Sequence, residues 1–271
     1  MKRKHIYTLL LAFILLPGCN NMDNRDFMSV TTRSSEALDL YQEAYAIATG
    51  IVELERSVAL YRKALEKDPE FFMARYQLAT HALFHNNEAD FRTHARAAIE
   101  SRARLSKGEI LLKRALESWL EDPEADVSTL GRQLAEWYPE DPDAWINLGF
   151  FYYMHKNYTG TISSLEKAML LEDPDGIYSG PKLAIVPICM LGYTYMATGQ
   201  MNKARTTFDD YILRYPGEQN PYDCMADYFM AIGEYDKAFD NYMIAFRMDT
   251  THDVYRQRAL NALLLFDHQG K

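Results

Sequence analysis

The chain is short of the residues that build most catalytic or covalently braced sites. It has 3 cysteines in 271 residues, too few for a disulfide framework. It contains no Gly-rich phosphate loop, no serine nucleophile elbow and no His-Glu-x-x-His pair, and its carboxylates are scattered rather than paired for acid and base work. Those absences argue against an enzyme: no catalytic residue, no metal and no cofactor is assigned. Positive charge is also in deficit, with 29 Lys and Arg against 38 Asp and Glu. A body of net charge −9 is a poor ligand for nucleic acid. The one long apolar run, Ile6 to Leu16, is about half of the roughly 20 residues a membrane-spanning helix needs. What remains is 48% hydrophobic, the content of an ordinary folded chain, so a substantial core is expected.

The first nineteen residues form a unit of their own: Lys2, Arg3 and Lys4, the apolar run, then Leu16-Pro17-Gly18-Cys19. Basic, apolar and small-residue regions in that order make a signal segment. The last four residues resemble the bacterial lipobox, although Pro17 stands where a small residue is usual. The resemblance implies a lipoprotein signal peptide over 1–18, removed before Cys19, whose thiol then carries lipid, palmitate included. The other reading is a secretory signal with an incidental cysteine. Two lipid signals suffice for stable membrane attachment. By analogy with other lipoproteins, Asn20 after the cysteine favours the outer membrane of a bacterial cell envelope. Removal of residues 1–18 takes the net charge to about −12. Residues 19–34 are polar and without periodicity, and are read as the lipidated Cys and a flexible tether.

From residue 35 the pattern is helical. Asp141 to Pro174 is a complete helix-turn-helix hairpin: Trp145, Leu148, Gly149 and Tyr152 share one face of a first helix, and Tyr158, Ile162, Leu165 and Ala168 one face of a second. Asp173-Pro174 closes it. Followed along the chain, the position of Ala168 recurs as Ala64, Ala98, Leu134, Ala168, Tyr211 and Ala245, at spacings of 34, 36, 34, 43 and 34. The small residue of the first helix recurs as Ala44, Ala79, Ala115, Gly149, Gly192 and Ala226. Small side chains let helices approach to about 8 Å.

These residue types and their period resemble the tetratricopeptide repeat, a solenoid unit of roughly 34 residues. The resemblance implies an all-α, right-handed solenoid of about six hairpins over residues 35–270, closed by a C-terminal capping helix at Val254 to Phe266. Hairpins four (142–173), five (185–218) and six (219–250) match well, and one (38–67) and two (72–100) moderately. Hairpin three (107–137) is the weakest, with Arg114 where an apolar residue and Gly131 where a large one is expected. The extra residues between hairpins four and five fall in a loop at 173–181.

Such arrays bind partners on the concave surface lined by their first helices. Carrying the inward positions onto this sequence gives Tyr76, Thr80 and Phe84 in hairpin two, Ile146, Phe150, Tyr153 and Met154 in four, Tyr193 and Met196 in five, and Asp223 and Asp227 in six. An apolar, aromatic groove with an acidic end is expected, suited to a protein or peptide partner held by apolar anchors. The alternative is that these residues are core. Chaperone-binding arrays grip a carboxylate with Lys and Asn at groove positions that here hold Ile146, Phe150 and Tyr193, so that subtype is set aside. The function expected is a membrane-anchored protein-binding scaffold. Self-association is one alternative. Another is a metal-dependent enzyme on His81 and His85, at i and i+4, with His94. Seven basic residues between Phe91 and Ala115 make either a solvated face or a contact for an acidic partner or lipid. Cys189 and Cys224 are read as buried free thiols rather than a disulfide.

Overall fold

The structure is a computed structural model that describes residues 27–47, 51–171, 185–251 and 253–269. The signal segment, Cys19 and the loop at 173–181 lie outside these residues. The described residues form thirteen helices and no strand. Twelve pair into hairpins: α1 (Ser35–Ile47) with α2 (Ile51–Lys67), α3 (Phe72–Phe84) with α4 (Glu88–Ile99), and α5 (Lys107–Glu121) with α6 (Ser128–Trp137). Then come α7 (Pro142–Met154) with α8 (Tyr158–Leu171), α9 (Ile185–Ala197) with α10 (Met201–Arg214), and α11 (Gln219–Ile232) with α12 (Tyr235–Met248). The last helix, α13 (Val254–Gln269), packs on α12. Each hairpin packs on the next, so the chain is an all-α solenoid.

The same turn is used four times. Asn86, Lys156, Gly199 and Gly233 have φ of +55°, +57°, +71° and +79°. The amide after each donates back to the carbonyl five residues earlier, at 2.8 Å for Asn87 to Ala82, Asn157 to Tyr152 and Gln200 to Tyr195, and at 3.0 Å for Glu234 to Phe229. A left-handed residue followed by that bond ends a helix and reverses the chain. Caps then restart it: Asn87 accepts from the Asp90 amide, Asp141 from that of Asp143, and Ser106 forms a reciprocal box with Glu109.

Hairpin packing explains the small residues. A Cβ on Gly149 would lie 2.7 Å from Leu165 Cδ2, and one on Gly192 only 2.2 Å from Phe208 Cε1. Hairpin three is less deviant than its sequence suggests. A Cβ on Gly131 would stand 3.1 Å from Leu148 Cα, so this glycine lets α6 rest against the backbone of α7. Arg114 is exposed, while Leu111, Leu112, Ala115, Leu116 and Trp119 supply the buried face of α5.

The tether expectation fails for residues 27–34. Met28 is buried, and its amide donates to Asp141 Oδ2 at 2.7 Å. The amide and hydroxyl of Thr31 donate to the two oxygens of Glu109 at 2.9 and 2.7 Å, and the Thr32 hydroxyl and Arg33 amide reach Asp68 Oδ2 at 2.6 and 2.9 Å. The segment is a strap across the starts of α7 and α5 and the turn between α2 and α3. Its polar residues look like solvent-facing sequence, but they supply donors to carboxylates fixed at those helix ends.

Two large hydrophobic clusters fill the solenoid, one from Met28 to Phe151 and one from Leu165 to Ala262. The outer side of α13 is not wholly polar: Leu260, Leu263, Leu264 and Phe266 are exposed there.

Candidate functional site

The first helices face a cavity of about 710 Å³, within the size range of sites that hold a small ligand or a few side chains. α3, α7, α9 and α11 form most of its wall, with Arg258 of α13 at one end. The sequence did not anticipate that hairpin one would close over the other end. Tyr45 of α1 donates to Asp143 Oδ1 of α7 at 2.9 Å, and this brings Ser57, Val58 and Tyr61 of α2 into the lining. Burial first, and then the neighbouring Asp141, push Asp143 up to about 7, against the opposing bond from Tyr45.

Three chemical zones follow from the residues. The first is aromatic: Phe84 lies 6.4 Å from Phe150 and 5.7 Å from Tyr153, ring centre to ring centre, and Phe150 rests edge-on against Trp119 at 6.0 Å. The second is a neutral polar corner. His81, in the last turn of α3, and His85, which caps it, lie with ring centres 4.5 Å apart. Burial, and then His85, lower His81 to about 4, and burial lowers His85, so His81 is an uncharged imidazole at neutral pH. Its Nε2 is enclosed and has no hydrogen-bond partner among the described residues. The buried hydroxyls of Ser57 and Tyr61, one turn apart on α2, have none outside their own pair among the described residues. The third zone is charged but nearly self-neutralised. Arg258 bridges Asp223 and Asp227, and Tyr193 donates to Asp227 at 2.8 Å. Burial opposes the Arg258 charge, but Asp223 and then Asp227 hold it above the ordinary guanidinium value.

Of the eleven groove positions read from the sequence, nine line this cavity: Tyr76, Thr80, Phe84, Ile146, Phe150, Tyr153, Tyr193, Asp223 and Asp227. Met154 and Met196 do not; each is half-buried against the core. The nine are not equally open. Tyr76 is 2% exposed and donates to Asn147 Oδ1 at 2.8 Å, so it is as much a brace between α3 and α7 as a wall. Phe84, at 40%, is the most accessible ring. Sequence reasoning missed Ser57, Tyr61, Asn147 and Arg258. For Asn147 a signal existed, a lone amide among the apolar residues of α7. For Arg258 there was none, because its partners are on another helix more than thirty residues away.

His94 does not join His81 and His85 in the cavity, and among the described residues no group of three His, Cys, Asp or Glu could hold a metal. The basic stretch is partly engaged: Arg92 pairs with Glu88, Lys113 donates to the Ile99 carbonyl at 2.6 Å, and Lys107 sits over the Tyr138 ring. Cys189, half-buried, lines the cavity, and Cys224, buried, lies behind it; both are free thiols.

No protein-family model and no curated protein matches the chain. Solved structures of tetratricopeptide-repeat proteins do. Yeast Tom70 aligns over 86% of this chain and 52% of its own length, about half of that protein, at 15% identity and a TM-score of 0.50. A thermophilic repeat protein of Thermus thermophilus aligns over 84% of this chain and 99% of its own, at 16% identity and a TM-score of 0.49. A repeat protein of Parabacteroides merdae aligns over 85% and 100%, at 15% identity and a TM-score of 0.32. The repeated hairpins, their shared turn and the alignment with Tom70 give one conclusion: the chain has the tetratricopeptide-repeat fold.

Proposed function

We propose that the protein is a lipid-anchored binding scaffold of a bacterial cell envelope, and that its concave cavity takes a segment of a partner protein. The cavity carries this reading. It sets an aromatic wall, most open at Phe84, in one cavity with neutral polar side chains, the uncharged His81 imidazole among them. The partner side chain that suits it has an apolar or aromatic body and an uncharged hydrogen-bonding tip. A carboxylate would meet the desolvation cost of a site whose one cation is already held by two aspartates. Anchoring is assigned to Cys19 on the strength of residues 1–19 alone.

A photo-crosslinking residue at Tyr153, inside the cavity, is compared in cells with one at Leu213, which is 79% exposed on α10. Adducts from position 153 that are absent at 213, and lost with Phe84→Ala, support the site; the same adducts from both positions overturn it. Cys19→Ala releases the protein from the membrane fraction if the anchor is correct. A second reading, self-association, is favoured by the exposed apolar side of α13. Sedimentation of the chain with and without Leu264→Asp distinguishes a dimer through that helix from a monomer.

A further inference from the structure

The thiols of Cys189 on α9 and Cys224 on α11 lie 3.5 Å apart, sulfur to sulfur. The two helices belong to successive hairpins and touch each other directly. A disulfide bond is about 2.05 Å long, so the sulfurs need to close by roughly 1.5 Å. Side-chain rotation with a small shift of α9 on α11 can supply that distance. Access differs between the two. Cys189 is half-buried on the wall of an open cavity, and Cys224 is buried behind it with no surface of its own.

We propose that Cys189 and Cys224 are a dithiol oxidised to a disulfide by a small disulfide, or by the disulfide of an exchange protein, that reaches Cys189 through the cavity. The Cys189 thiolate attacks one sulfur of the oxidant and expels the other as a thiolate, which takes a proton, leaving a mixed disulfide. Cys224 then gives up its proton, and its thiolate attacks Cys189 Sγ and expels the second thiol. Two protein thiols and one external disulfide become one protein disulfide and two external thiols, with two electrons passed to the oxidant. The order is fixed by access, with Cys189 attacking and Cys224 resolving. The product staples α9 to α11 across 35 residues of chain and draws Cys189 Sγ out of the cavity wall. It does not depend on the partner-binding reading.

The test uses the full chain, incubated with oxidised glutathione, quenched with N-ethylmaleimide under denaturing conditions, and mapped by tryptic mass spectrometry. The expected result is one peptide pair joined through Cys189 and Cys224, cleaved by dithiothreitol. A rise of about 5–10 °C in the melting midpoint of the oxidised form is expected as well. Cys224→Ser should stop the reaction as a stable glutathione adduct on Cys189, and Cys189→Ser should leave Cys224 unmodified. The proposal is overturned if the wild-type chain keeps both thiols free, stops at the mixed disulfide, or pairs either of them with Cys19. The wild-type map alone decides the matter if the serine variants do not fold.

Discussion

In the N-terminal half, from the strap to α7, hydrogen bonds reach across the array to hairpins that are not neighbours in sequence, whereas among the described residues from α8 to α13 the long side-chain bonds join adjacent hairpins or helices. Met28 bonds to Asp141 across 113 residues, Tyr45 to Asp143 across 98 and Tyr76 to Asn147 across 71. In the other half Tyr195 bonds to Glu166 across 29 and Tyr193 to Asp227 across 34. A repeat array ordinarily behaves as a one-dimensional stack in which each unit feels only its neighbours. The C-terminal half fits that description. The N-terminal half has curled until α1 and α7 meet, which gives it the non-local contacts of a globular domain. The cavity is the space enclosed where the curled half faces the open one.

That contrast can be broken most strongly at Glu109. Its fully buried carboxylate accepts from the Thr31 amide and hydroxyl and from the Ser106 amide. Glu109→Ala leaves those donors unmet and should cost about 3 kcal/mol. All three tryptophans, Trp119, Trp137 and Trp145, are in the N-terminal half, so their fluorescence in urea reports on it while far-UV circular dichroism reports on every helix. The fluorescence transition should move to lower urea and part of the dichroism signal should not. Movement of both together would mean that the halves melt as one.

The next effect depends on pH. The folded value of Asp143, about 7, lies above the unfolded value of about 3.9. The native chain therefore keeps a proton that the unfolded chain loses, and this group's contribution to stability falls as pH rises from about 4 to 7. Asp143→Asn removes this group's share of the dependence and leaves that of Asp141, which burial also raises. The unfolding free energy of the variant from urea titration should gain on that of the wild type across this window, by at most about 1.4 kcal/mol per pH unit. A constant difference between the two proteins would show that Asp143 is ionised throughout.

Arg258→Ala tests the open half, because it leaves Asp223, almost fully buried, beside Asp227 without their cation. With Arg258 itself 29% exposed, the cost should be about 2 kcal/mol rather than that of a fully buried pair. Here the dichroism should shift while the tryptophan transition stays. Smallest, and opposite in sign, is Lys156→Gly at the seam between the halves. A lysine at φ +57° is strained where Gly199 and Gly233 are not. The glycine should therefore raise the melting midpoint slightly, by about 0.5 kcal/mol in stability.

Much of this was legible in the residues. The hairpin limits followed from a repeating alanine, because helix crossings demand small side chains, and that demand recurs wherever the unit recurs. The repeat resemblance put Tyr153 and Phe84 in the groove, because a fixed position in a repeated helix keeps the same face from one copy to the next. The strap was misread because the residues of 27–34 are polar, and polarity does not distinguish a segment hydrated by water from one hydrogen-bonded to Asp68, Glu109 and Asp141. Gly131 was scored as a defect because its partner, the backbone of α7, carries no side-chain signature.

By itself the sequence determined the unit: its helices, its small-residue crossings and, through the repeat resemblance, the inward positions of hairpins two, four, five and six. These are local or nearest-neighbour properties, and periodicity records them. Only the tertiary structure decided how far the array curls. It thereby decided that hairpin one closes over the groove, that His81, Ser57 and Tyr61 line one cavity, and that Cys189 touches Cys224. Curvature accumulates from small rotations at every hairpin interface, and no single residue encodes that sum.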